Sequence, residues 1–337
     1  MQGEKSPEAQ PTFMRRKDGK PKRKAKRNLP KFSCGFRDSP SSHLRKTGGE
    51  SSSHQQLYRA VSLFSGCGGL DLGLVGGFSF LGKKYRVLPF EVVESIDSSK
   101  DAVEAYRLNL GDEIREADLT EIEPTDIQSA EILLGGFPCQ DFSSSGPKTG
   151  LKGTRGELYK VLVEYMKVHQ PKIVVAENVP YLQRLNKGKY LQQILAEFEA
   201  SGYRFRVWEL YGPEYGLPQS RRRLFLVGVR ADIAGFPQKP KPSHISSFVT
   251  VDQALRDLEE VVDETVTNQS QFFIATRATK GGGQGDHSNR EGEVAYCIRA
   301  NCRGRMQFHY KLDRRLTVRE CARLQSFPDE FVFPFTT

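Results

Sequence analysis

The chain has 337 residues, room for two domains or for one large domain with an insertion. Hydrophobic residues at 37% and aromatics at 10% are enough for a sizeable core and exclude wholesale disorder. No run of about 18 apolar residues occurs and no apolar leader opens the chain, so neither a spanning helix nor secretion is expected.

The formal net charge of +9 is confined to the first 50 residues, which hold 14 Lys and Arg against 5 Asp and Glu; elsewhere the two signs balance at 36 each. This tail carries Arg15-Arg16-Lys17 and a basic cluster from Lys20 to Arg27 among Pro, Gly and Ser, without an apolar period. Disorder is expected over residues 1–56, because so little apolar surface cannot offset the ordering entropy. The tail reads as a weak, salt-sensitive grip on nucleic acid or, equally, as a solubilising leader or a mis-assigned start with Met14 as the alternative.

From Tyr58 onward, short apolar runs alternate with helix-like stretches, the pattern of βαβ units and a parallel sheet. Strands are predicted at 60–64, 87–96, 132–135, 172–176, 205–210 and 223–229, and helices at 99–110, 157–169 and 190–200. From 234 to about 310 the pattern becomes loop-rich, with Pro237, Pro240, Pro242 and Gly281-Gly282-Gly283. Thr317 and Glu320 then fit a capping box opening a last helix. The six cysteines are scattered, with no Cys-x-x-Cys pair; they read as reduced thiols in the cytoplasm, and no metal is expected.

In such sheets the ligand lies beyond the carboxyl ends of the strands. After the first strand comes Ser65-Gly66-Cys67-Gly68-Gly69, either a plain tight turn or one that brings backbone N–H groups to a ligand. Asp97 ends the second, as a ribose-hydroxyl acceptor or simply a helix N-cap. The third runs into Pro138-Cys139-Gln140 and a polar loop, where burial of a free thiol is not expected and a nucleophile is. The fourth ends in Glu177-Asn178-Val179, a partly desolvated carboxylate suited to donating a proton. Gln219-Ser220-Arg221-Arg222-Arg223 opens a strand whose alternation puts Arg221 and Arg223 on one face, for phosphate, a base carbonyl or acidic neighbours.

Taken in order, Phe64-Ser65-Gly66-Cys67-Gly68-Gly69, Asp97, Asp118-Leu119-Thr120, Gly136-Phe137-Pro138-Cys139-Gln140, Arg155-Gly156-Glu157-Leu158, Glu177-Asn178-Val179, Gln219-x-Arg221-x-Arg223 and the segment from Arg315 to Asp329 resemble the S-adenosylmethionine-dependent DNA cytosine carbon-5 methyltransferases of the bacterial modification type. The resemblance spans about residues 60–330 and implies an α/β fold: a mostly parallel, doubly wound, Rossmann-like sheet with a small loop-rich target-recognition module. It divides the chain into a basic tail (1–56), an S-adenosylmethionine-binding catalytic domain (57–233), a target-recognition region (234–310) and a return to the catalytic domain (311–337).

By the same resemblance Cys139 adds to carbon 6 of a flipped-out cytosine in duplex DNA, Glu177 protonates nitrogen 3, and Arg223 holds the base with Arg221 beside it. The cofactor would meet Phe64 at its adenine, Gly66, Gly68 and Gly69 at its methionine end, Asp97 at the ribose and Asp118 at the adenine amine, with Leu119, Phe137 and Leu158 completing the pocket. The chain departs from the family at Ser98, where relatives place a large side chain, and at its end, where a Gly-Asn segment is expected beside the first motif. A second chain supplying that segment is one expectation, a monomer the other; an inactive DNA-binding fragment is a further one. A transfer-RNA cytosine methyltransferase shares the Pro-Cys-Gln chemistry, but Tyr296-Cys297-Ile298 is a poor match to its recognition signature. Phosphate contacts are expected from Arg299, Arg303, Arg305, Lys311, Arg314 and Arg315. The expected location is cytoplasmic, with the nucleoid.

Overall fold

The structure, a computed structural model, describes residues 56–138, 157–259, 287–299 and 307–334. Cys139, Arg155, Arg303, Arg305 and the basic tail lie outside the described residues.

Seven strands form the central sheet: β1 (Tyr58–Leu63), β2 (Phe90–Asp97), β3 (Ile114–Glu116), β4 (Ile132–Gly135), β5 (Ile173–Asn178), β6 (Tyr203–Tyr211) and β7 (Arg222–Arg230). Their order is β3-β2-β1-β4-β5-β7-β6, parallel throughout except that β7 runs antiparallel to both neighbours. The exception has a simple cause. The 212–221 connection is too short for a crossover, so β6 and β7 close as a hairpin. β3 escapes the sequence reading because three residues carry no period; its register, Ser95 opposite Ile114, comes from β2.

The helices are α1 (Gly69–Val75), α2 (Lys100–Asn109), α3 (Tyr159–His169), α4 (Lys189–Ala200), α5 (Val251–Leu255) and α6 (Val318–Leu324). Strand alternation sends Val61, Leu63, Leu133, Val174 and Ala176 to one face, where Leu162 and Met166 of α3 and Ile194 and Phe198 of α4 cover them. Ala60, Ile132 and Leu134 face the other way, against Leu70 and Leu74 of α1. Each such large side chain, once buried, contributes roughly 1.5–3 kcal/mol. Among the described residues no helix is long and apolar enough to cross a membrane.

A second, smaller core joins Val251, Ala254 and Leu255 of α5 to Ala295, Leu316 and Leu324. The Thr317–Glu320 capping box forms as the spacing predicts. Glu320 also accepts two hydrogen bonds from Arg314, at 2.9 and 2.7 Å, and Lys311 pairs with Glu259 at 2.5 Å. Lys311 and Arg314, both expected at phosphate, thus each already have an acidic partner, Glu259 far along the chain and Glu320 six residues on. After α6 the chain returns to the main sheet, where buried Asn109 of α2 accepts from the Val332 N–H (2.6 Å) and donates to its carbonyl (2.8 Å).

Candidate active site

β4 lies between β1 and β5, so the carboxyl ends of these strands are neighbours. Phe64, Gly136 and Glu177 accordingly border one cavity of about 450 Å³, closed by Arg221 just before β7, Phe225 within it and Phe327 from the turn after α6. This is the crevice at the point where strand order reverses.

At the β1 end the backbone turns abruptly. Phe64 has φ +58, a conformation costly for a side chain of its size, and Gly66 and Gly68 follow at +58 and +85. Gly68 must be glycine on two counts, since a Cβ there would also strike Leu110 and Tyr106. Gly66 instead borders open space, which lets a ligand approach its main chain. Beneath the turn, Asp71 of α1 is buried and accepts from Ser62 Oγ (2.6 Å) and Ser95 Oγ (2.9 Å), locking α1 to β1 and β2. Burial raises its pKa. Sequence reading missed this residue, whose partners lie on other elements.

Asp97 accepts from the Gly66 N–H (Oδ2, 2.8 Å) and the Ser99 N–H (Oδ1, 2.8 Å), and each oxygen keeps a lone pair for a hydroxyl. The N-cap of α2 is Ser99 and not Asp97. Asp118 is exposed, its carboxyl held below the usual range by hydrogen bonds from the Thr120 backbone and hydroxyl. The side chains of Leu119 and Phe137 lie in the core, Phe137 against the Tyr159 ring, so these two positions offer a ligand only their main chain. Leu158 is half-buried at the start of α3.

At the β5 end, Glu177 Oε1 meets Arg223 Nε at 2.6 Å, with both side chains partly exposed. Arg221 donates to the Ile298 carbonyl at 3.4 Å; its burial, with the charge of Arg223, lowers its pKa. Asn178 is buried and donates to the Phe137 carbonyl at 3.3 Å, tying β5 to the segment that leads into Cys139. Cys67, the thiol of the glycine turn, is a poor nucleophile, because burial pushes its pKa up to about 11.

Gln219 is the clearest role that sequence reading missed. Fully buried, it donates to the Leu324 carbonyl (2.8 Å) and accepts from the Ile298 N–H (2.9 Å), while Ser220 N–H donates to Ala295 (2.7 Å). One amide thus joins α6, the segment around Ile298 and the arginine strand. Gln219→Ala strands two backbone groups and should cost roughly 2–4 kcal/mol, seen as a drop of roughly 3–7 °C in melting temperature. A melting temperature within a degree of the parent would contradict this role.

The profile of the C-5 cytosine-specific DNA methylases matches residues 58–302 and 276–337. The chain belongs to this family. Curated relatives include the type II methyltransferases M.NgoFVII of Neisseria gonorrhoeae, 35% identical over 83% of this chain and 80% of the relative, and M1.ScrFI of Lactococcus lactis subsp. cremoris, 31% identical over 82% and 71%. Among solved structures, the Dnmt2 methyltransferase of S. pombe superposes with a TM-score of 0.58 at 16% identity, covering 83% of this chain and 89% of its own, a likeness of fold. The methylase is thus an enzyme of the DNA cytosine-5 methyltransferase class on a methyltransferase fold.

Proposed function

We propose that the chain transfers a methyl group from S-adenosylmethionine to carbon 5 of a cytosine flipped out of duplex DNA, through a covalent adduct of Cys139. The observation that carries this reading is one cavity bordered both by Phe64 and Gly69 of the glycine turn and by Glu177, the partner of Arg223, with Asn178 anchoring the segment before Cys139. Phe64, the open backbone at Gly66 and the spare acceptors of Asp97 fit an aromatic, hydroxylated ligand with a polar end; Gly68, Gly69, Asp118 and the main chain at Leu119 and Phe137 would complete its seat, with Leu158 at the edge. When bound, S-adenosylmethionine supplies an electrophilic methyl group.

Carbon 5 of cytosine is a poor nucleophile until carbon 6 has been attacked. The Cys139 thiolate adds there, and Glu177 delivers a proton to nitrogen 3, so charge does not build up on the ring. As the base arrives, Glu177 exchanges Arg223 for nitrogen 3 and Arg223 turns to the base carbonyl, an exchange their partial exposure permits. Arg221, held by Ile298, keeps a second positive charge beside the ring. Once carbon 5 carries the methyl group, its proton passes to a base in the surrounding solvent, the carbon 6–sulfur bond breaks to release the thiolate, and nitrogen 3 returns its proton to Glu177. The base leaves the stack because none of these groups can reach it within a duplex.

We place the enzyme with its DNA in the cytoplasm and assign target recognition to residues 234–310. The groove beside Gly69 and Phe327 is where the Gly-Asn segment expected from the resemblance, in this chain or a second, would pack. Transfer of labelled methyl groups to duplex DNA and to transfer RNA tests the substrate. Incorporation is expected in DNA alone; incorporation confined to transfer RNA would overturn the reading.

A further inference from the structure

Arg222 stands between the two arginines of the site but takes no part in it. It lies opposite Tyr211 across the β6–β7 ladder, and its guanidinium lies over the Tyr211 ring, 4.0 Å from the centroid. The ring meets the edge of Phe248 at 6.0 Å and an 85° interplanar angle, and its hydroxyl lies 3.3 Å from Ser220 Oγ. One acid, Glu209, approaches the guanidinium, at 3.6 Å, while also accepting from Gln183 at 2.8 Å. The Arg222 side chain is 54% exposed.

The placement decides what this arginine faces. Asn178, the last residue of β5, pairs with Leu224, so Arg222 lies two residues further toward the open end of the sheet, beyond the level of the Glu177–Arg223 pair. A guanidinium held over an aromatic ring keeps N–H groups for a ligand and has lost part of its rotamer freedom before one arrives. Its contact with Glu209 is loose and solvent-exposed, the kind worth little and readily exchanged. A planar, pre-oriented cation with N–H groups to offer matches the two oxygens of a phosphodiester.

We propose that Arg222, held over the ring of Tyr211, is a positioning residue that grips a DNA phosphate beside the flipped nucleotide. This rests on the reading of the chain as a DNA methyltransferase. The grip fixes where the strand lies relative to Arg221 and Arg223, and carries no base information.

The test is equilibrium binding of a fluorescent duplex to the full chain across a salt series, for the parent, Arg222→Ala, Arg222→Lys and Glu209→Gln, with methyl transfer measured in parallel. Loss of one phosphate contact should reduce the slope of log K against log salt by about 0.9, weakening binding roughly tenfold at 0.1 M salt. Arg222→Lys should keep the slope, and Glu209→Gln should strengthen binding. At saturating DNA, kcat of Arg222→Ala should stay within about twofold of the parent, with the effect in KM. An Arg222→Ala slope equal to that of the parent would overturn the inference. Failure of the methyltransferase reading shows separately, as a parent that binds DNA without methylating it.

Discussion

Cys139→Ser should abolish methyl transfer, lowering kcat by at least about 10³-fold, which corresponds to about 4 kcal/mol of transition-state stabilisation. A hydroxyl is a far weaker nucleophile than a thiolate and needs a base beside it. The alternative thiol in the neighbouring motif, Cys67, is held protonated by burial and cannot substitute. Asn178 fixes the Phe137 carbonyl two residues upstream, so the segment should keep its course in the variant. DNA affinity and melting temperature should therefore stay near those of the parent. Single-turnover transfer with labelled cofactor measures the loss; a serine variant retaining more than about a tenth of the parent rate would remove the covalent step from the account.

Glu177→Gln should lower kcat by roughly 10²–10⁴-fold, the usual worth of a positioned general acid. The amide keeps the shape of the side chain and still meets Arg223, but has no acidic proton for nitrogen 3 of the base. Because the loss lies in the chemical step, the affinities for duplex DNA and for S-adenosylmethionine should change by less than about threefold. A glutamine variant with unaltered kcat and raised KM would instead make Glu177 a binding residue.

The sheet was legible because β1, β4 and β5 are short apolar runs packed by both helical layers, each punctuated by Gly, Pro or Asn. The carboxyl ends of these strands carry the site, so finding them located Phe64, Gly136 and Glu177. The alternation at 221–223 likewise sends Arg223 to Glu177 and Arg222 to Tyr211. What sequence reading missed depends on partners far along the chain. Gln219 bonds to residues 79 and 105 positions away, and Asn109 to one 223 away. Asp71 stands in the first turn of α1, and the hydroxyls that bond it come from two strands. Arg314, expected at a phosphate, pairs with Glu320, which also forms the capping box of α6.

The central claim is the identity of the methylated atom. Duplex DNA incubated with the parent enzyme and S-adenosylmethionine should be digested to nucleosides and resolved by mass spectrometry against authentic standards. The account predicts 5-methyldeoxycytidine as the methylated product, absent when Cys139 is serine. Methyl groups on an exocyclic amine, whether N4-methyldeoxycytidine or N6-methyldeoxyadenosine, would contradict it, because amine methylation needs neither addition to carbon 6 nor the thiol.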